Sequence, residues 1–124
     1  MITAKKILVV DDEEDITFLI HEGLKRNGFD IYSFADPKLA LSNFRVNFYD
    51  LLLIDIKMPV MDGFEFYQNI RKQDKTVKVC FLSALEKPDE ELLTRNEFKS
   101  EPYFIQKPIR IVDLVKKINE ILSC

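Results

Sequence analysis

Short apolar runs alternate with longer amphipathic stretches along this chain. Lys6–Val10 reads as a continuous apolar strand running into Asp11-Asp12-Glu13-Glu14-Asp15. Ile16, Leu19, Ile20 and Leu24 then recur at spacings of three and four, the stripe of an amphipathic helix that Asn27-Gly28 should stop. Residues 29–34 form a second strand. Asp36-Pro37 supplies an N-cap and a first-turn proline for a second helix, carried inward by Leu39, Ala40 and Phe44. Residues 51–54 make a third strand that Asp55 ends. A loop punctuated by Pro59 and Gly63 leads to a helix with Phe64, Phe66, Tyr67 and Ile70 inward. Residues 77–82 are a fourth strand, followed by Ser83-Ala84. Residues 86–102 are polar, and a helix there rests on Leu92, Leu93 and Phe98 alone. Tyr103–Gln106 is the fifth strand. Lys107-Pro108 follows, and the last helix carries Val112, Leu114, Val115, Ile118, Ile121 and Leu122.

Five fully apolar strands joined by helical crossovers mean a parallel sheet covered on both faces. The expected fold is α/β: a single doubly wound (βα)5 flavodoxin-like domain with strand order 2-1-3-4-5. At 124 residues, 47% hydrophobic and 31% charged, the chain is an ordinary globular domain able to bury a core without disulfides. Its 18 basic and 21 acidic residues leave a net charge of −3, so no bulk basic field draws nucleic acid or an anionic membrane. The longest apolar runs, 7–10 and 51–54, are far too short to span a bilayer. The first residues, MITAKK, lack the apolar segment of a secretory signal. Cys80 and Cys124 give neither a disulfide framework nor zinc spacing. These features predict a cytoplasmic protein, with residues 1–124 forming one domain.

In open parallel sheets, ligands bind beyond the carboxyl ends of the strands. The polar residues at those exits are Asp11 and Asp12, Asp55, Ser83 and Lys107. Three carboxylates gathered there repel one another. At ~5 Å and an effective dielectric of ~20, each pair costs roughly 3 kcal/mol. A hard cation relieves that cost, and oxygen donors suit Mg2+. A hydroxyl and a lysine beside such a site suit a phosphoryl group, with Asp55 as the nucleophile that accepts it. Singly, each residue has a plainer reading. Asp11-Asp12 fits a helix N-terminus, Asp55 a turn and Lys107-Pro108 a strand exit. Their joint placement argues for a site. His21 stands alone on the first helix and reads as structural, and Cys80 as a buried inert thiol.

The pattern Val9-Val10-Asp11-Asp12-Glu13, then Asp55-Ile56-Lys57-Met58-Pro59 with Asp62-Gly63, then Ser83-Ala84 and Lys107-Pro108, resembles the response-regulator receiver domain of two-component signal transduction. The match keeps the family's order across the whole chain. The resemblance implies Asp55 as phosphoacceptor, Asp12 as a direct Mg2+ ligand and Asp11 as one acting mostly through water. It implies metal ligation by the backbone carbonyl of Lys57 and phosphate binding by Lys107. Ser83 and Phe104 match the switch pair, and Lys107-Pro108 a bond that is often cis. The implied partners are a histidine kinase or phosphotransfer protein and an output domain or downstream protein, with room for a weak homodimer. No output domain, nucleic-acid contact or membrane contact is expected within residues 1–124. The implied activity is that of a phosphoacceptor assisting its own phosphoryl transfer and dephosphorylation, not of a turnover enzyme.

Three features depart from the family. Lys57 puts a cation beside the acceptor. Phe98-Lys99-Ser100-Glu101-Pro102 replaces a small Gly-Ala pair. Phe104 stands where Tyr is common and lacks its hydroxyl. Rival readings fit less well. A flavodoxin-like cofactor site needs a phosphate loop where this chain has five consecutive acids, and a dinucleotide fold needs a glycine pattern that is absent. An aspartyl phosphatase usually carries a second Asp where Lys57 stands. A receiver-like module without phosphorylation would not need the intact set of Asp11, Asp12, Asp55, Ser83 and Lys107.

Overall fold

The computed structural model describes residues 3–84 and 103–123. Its elements run β1 (Lys6–Val10), α1 (Glu14–Arg26), β2 (Asp30–Phe34), α2 (Pro37–Ser42), β3 (Leu51–Asp55), α3 (Gly63–Gln73), β4 (Lys78–Ser83), β5 (Tyr103–Gln106) and α4 (Ile111–Leu122). The strands form one parallel sheet in the order β2-β1-β3-β4-β5, as expected from the sequence. Val10 pairs with Phe34 and Ile54, Asp55 with Leu82, and Ser83 with Gln106. The strand exits therefore end close to level with one another.

Alternate strand residues feed two cores. Leu8, Val10, Leu52, Ile54 and Phe81 pack with Ala40 of α2 and with Phe64, Phe66 and Ile70 of α3. Ile7, Val9, Leu51, Leu53 and Leu82 pack with Ile20 and Leu24 of α1 and with Leu114 and Ile118 of α4. Burial on both faces is why these strands read as unbroken apolar runs instead of alternating ones. Cys80 lies in the second core, and burial pushes its thiol up to about 12. Burial of this thiol agrees with its reading from the sequence as a core residue.

Inward positions read from the sequence are corrected in three helices. The core face of α1 is Thr17, Ile20 and Leu24, and Leu19 is 59% exposed. The stripe is set by the 17-20-24 spacing, which turns Leu19 outward. In α2 the helix ends at Ser42, Leu39 faces solvent, and Phe44 lies beyond the helix, stacked against Tyr49 at 5.4 Å. In α4, Val112 is exposed while Leu114, Ile118 and Ile121 are buried. The capping signals hold. Asp36 and Asp62 accept backbone N–H bonds at the starts of α2 and α3, and Gly28 follows α1 at φ +91°. The helix expected within 86–102 lies outside the described residues, as does Cys124. No helix among the described residues is long and apolar enough to cross a membrane.

Candidate functional site

The strand exits converge as the sequence predicts. Asp11 directly follows β1 and is fully buried. Asp55 is the last residue of β3 and Ser83 the last of β4, both buried. Lys107 directly follows β5, and its bond to Pro108 is cis. Carboxylate oxygens of Asp11, Asp12 and Asp55 lie within 4.8 Å of one another. The Lys107 ammonium sits 2.7 Å from Asp11 Oδ2, 3.4 Å from Asp55 Oδ1 and 3.6 Å from Glu13 Oε1. A cavity of about 230 Å3 opens beside Asp55, lined also by Glu13, Ile56, Lys57, Ser83 and Lys107.

Local backbone structure aims these groups. Ile56 N–H donates to Leu82 O, which carries the β3–β4 ladder past Asp55. Gly63 N–H then donates to Ile56 O at 2.8 Å, folding the loop back onto Asp55. A Cβ at Gly63 would lie 2.5 Å from the Asp55 carbonyl oxygen, so this close approach requires glycine. Lys107 N–H donates to Ser83 O at 2.6 Å, locking the fifth exit to the fourth. Phe104 stacks on Phe81 at 5.6 Å, and Phe81 in turn on Phe64 at 4.9 Å. The expected switch aromatic therefore joins the layer beneath the site.

The electrostatics are those of an anionic pocket short of positive charge. Burial first, and then the charge of Asp11, raise the Asp55 carboxyl to about 7; a hydrogen bond with Asp12 adds to this and Lys107 opposes it. Burial alone would lower Lys107, yet Asp11 and Asp55 hold its ammonium above the ordinary lysine value. Asp11 Oδ1 accepts the Glu13 N–H at 3.0 Å, and its buried Oδ2 pairs with the Lys107 ammonium at 2.7 Å. The Lys107 ammonium, set against three clustered carboxylates, leaves an acidic, all-oxygen donor set, which fits a small hard divalent ion.

Sequence reasoning brought Asp11, Asp12, Asp55, Lys57, Ser83, Phe104 and Lys107 to this end of the sheet. It assigned no part to Glu13, which reaches the shared ammonium, or to Gly63, which lets the loop touch the Asp55 backbone. The Asp-Gly pair at 62–63 was the available signal for Gly63. Nothing in the sequence marks Glu13 from its acidic neighbours. His21 accepts a structural role: its Nδ1 lies 2.7 Å from Ser33 Oγ, bridging α1 and β2.

Comparison with known proteins decides the family. The model of the response regulator receiver domain matches residues 7–119. The chain belongs to the response regulator receiver domain family. Its relatives include the transcriptional regulatory protein PrrA of Mycobacterium tuberculosis, 32% identical over 98% of this chain and 51% of PrrA. This receiver thus spans about half the length of such curated relatives. Among solved structures, it is similar to the Vibrio cholerae chemotaxis protein CheY4, with TM-score 0.82, 26% identity, and coverage of 96% of this chain and 99% of that one. It is also similar to the Thermotoga maritima response regulator TrrA in complex with Mg2+-BeF, with TM-score 0.76, 29% identity, and coverage of 94% and 98%. Receivers of this family are phosphoacceptors that act as phosphorylation-dependent switches in two-component systems.

Proposed function

We propose that Asp55 accepts a phosphoryl group from a histidine kinase or phosphotransfer protein, and that this changes a partner-binding face of the domain. The observation that carries the reading is the convergence of Asp11, Asp12, Asp55, Ser83 and Lys107 at neighbouring strand exits around one cavity. An Asp55 carboxylate oxygen attacks the phosphorus in line. The P–O bond forms as the P–N bond of the donor phosphohistidine breaks, and the electron pair of that bond leaves with the imidazole. Lys107, whose ammonium lies 3.4 Å from Asp55 Oδ1, offsets the charge of a phosphoryl group there. Ser83 offers the hydroxyl donor. Phe104 has no hydroxyl of its own, so its part in the switch is packing against Phe81.

Asp11, Asp12, Asp55 and the Lys57 carbonyl are the residues assigned to Mg2+, a reading supported by the all-oxygen donor set and by the Mg2+-bound relative. Bound Mg2+ supplies positive charge that offsets both the carboxylates and the transferring phosphoryl oxygens. The kinase or phosphotransfer partner docks on α1 and the Lys107–Arg110 loop, where exposed Phe18 and Leu19 of α1, and Val112 in the first turn of α4, offer apolar contact. We assign residues 1–124 to a single cytoplasmic receiver unit. Output then passes to a downstream protein or to an output domain of the kind its longer relatives have room for.

Intact mass after incubation with phosphoramidate tests the assignment. A Mg2+-dependent gain of one phosphoryl group in the native protein, absent in Asp55→Asn, is the expected result. A folded native protein that gains no phosphoryl at any time point, or an Asp55→Asn variant still labelled at the same site, overturns it.

A further inference from the structure

Thr17 breaks the apolar stripe of α1. It occupies the core face with Ile20 and Leu24 and is only 7% exposed. A buried hydroxyl on a core-facing helix position is costly unless it is satisfied. Its hydroxyl oxygen lies 2.5 Å from the Asp11 carbonyl oxygen and 3.1 Å from that of Glu13. The Glu13 carbonyl already receives the Thr17 backbone N–H at 2.9 Å. A hydroxyl has one proton to give, and the shorter contact directs it to Asp11.

That bond fixes the turn carrying the acidic residues. Glu13, the residue that caps α1, makes no side-chain capping bond, so the helix start is not held in the usual way. The turn is clamped by the Glu13 N–H on Asp11 Oδ1 and by Thr17 on the Asp11 carbonyl. The second clamp spans six residues and comes from the rigid core side of α1. It holds the backbone from which both the Asp11 and Asp12 carboxylates project toward Asp55.

We infer that Thr17 is a positioning residue for the acidic cluster, setting its affinity for a divalent cation through the Asp11 carbonyl without touching the ion. The inference rests on the proposed function and deepens it. The general precedent is that hydrogen bonds behind metal ligands are worth about 10–100-fold in affinity. Valine preserves the shape of threonine and removes the hydroxyl, leaving the buried Asp11 carbonyl without this donor. Serine retains the donor and loses a methyl group.

Calorimetric titration of Mg2+ into the native protein, Thr17→Val, Thr17→Ala and Thr17→Ser provides the test, with thermal midpoints measured in the absence of metal. Both hydroxyl-free variants should bind Mg2+ about tenfold more weakly, with Thr17→Ser within about twofold of native. Either hydroxyl-free variant that folds is enough. A merely structural role would lower the metal-free midpoint and leave the affinity unchanged, and that result overturns the inference. So does Thr17→Ser binding as weakly as Thr17→Val. If the native protein itself binds no Mg2+, the proposed function falls. If all four proteins bind equally well, only the role of Thr17 falls.

Discussion

Two buried aspartates at opposite ends of the sheet behave in opposite ways. Asp55, at the carboxyl end of β3, is 5% exposed; Asp74, which follows α3 at the other end, is 3% exposed. Burial works against ionisation of both. Asp74 nonetheless ends below the ordinary carboxylate value, because the N–H groups of Asn47, Thr76 and Val77 and the Thr76 hydroxyl all point at it. Asp55 ends far above it, facing the charge of Asp11 with one lysine in compensation. The same residue type, buried in both places, is thus a fastener in one and an under-compensated charge in the other. Burial does not decide the role of a carboxylate; the count of donors against competing anions does. A fold that satisfies Asp74 and leaves Asp55 under-compensated keeps its electrostatic strain at the proposed cation and phosphoryl site.

The largest effect expected from breaking this contrast is at Asp74. Asp74→Ala leaves three backbone N–H groups without their acceptor and unties the α2–β3 connection from the start of β4. The expected cost is about 3 kcal/mol, read as a lower urea midpoint at unchanged slope. Asp74→Asn keeps one acceptor oxygen and should lose roughly half as much. The pH dependence carries the same sign. A carboxyl lowered by folding contributes stability above its unfolded value near 4, and that contribution is lost as pH falls below it. An Asp74→Ala variant whose midpoint matches native would show that these bonds are made equally well to water.

Asp55 should give the opposite sign and a smaller magnitude. A carboxyl raised to about 7 on folding holds a proton between pH 4 and 7 that the unfolded chain has released. Metal-free stability should therefore fall as pH rises through that window. Asp55→Asn removes the charge while keeping the shape, so it should stabilise the metal-free protein at pH 7.5 by on the order of 2 kcal/mol. This is less than the full shift would carry, because the opposing charges of Asp11 and Lys107 remain around the amide. Saturating Mg2+ should reverse the order of the two proteins. An Asp55→Asn variant that is less stable than native without metal would show Lys107 already satisfying the site.

The contrast also explains what could be read from the sequence. The strand order and the convergence of Asp11, Asp12, Asp55, Ser83 and Lys107 were legible because each lies at a strand exit, a position that the apolar runs mark sharply. Asp74 was not. Its role comes from Asn47, 27 residues away, and from a turn that positions Thr76 and Val77, and no spacing rule encodes either. Thr17 was hidden for a related reason. The apolar stripe drew attention to Leu19, and a polar residue on the core face looks like an interruption until its acceptor is seen. Helix periodicity finds the face of α1 only approximately, since three- and four-residue spacings fit two neighbouring stripes.

The smallest effect concerns the loop that follows Asp55. Val60 lies at φ 72° and is 78% exposed, between Pro59 and Met61 in the β3–α3 connection. A β-branched residue in this left-handed region is strained, and no packing of its own side chain offsets the strain. Val60→Gly removes the steric cost but gives the unfolded chain more freedom, and the two terms oppose each other. The strain of a β-branched side chain exceeds the entropy term, so a gain of about 1 kcal/mol is expected, read by urea unfolding without metal. Gly63 N–H anchors this loop to Ile56 O independently of residue 60, so Mg2+ affinity should change less than twofold. An affinity that falls along with the gain in stability would mean that the strain at Val60 helps to hold the Lys57 carbonyl in place. The loop would then belong with Asp55, among the parts kept under tension, and not with Asp74.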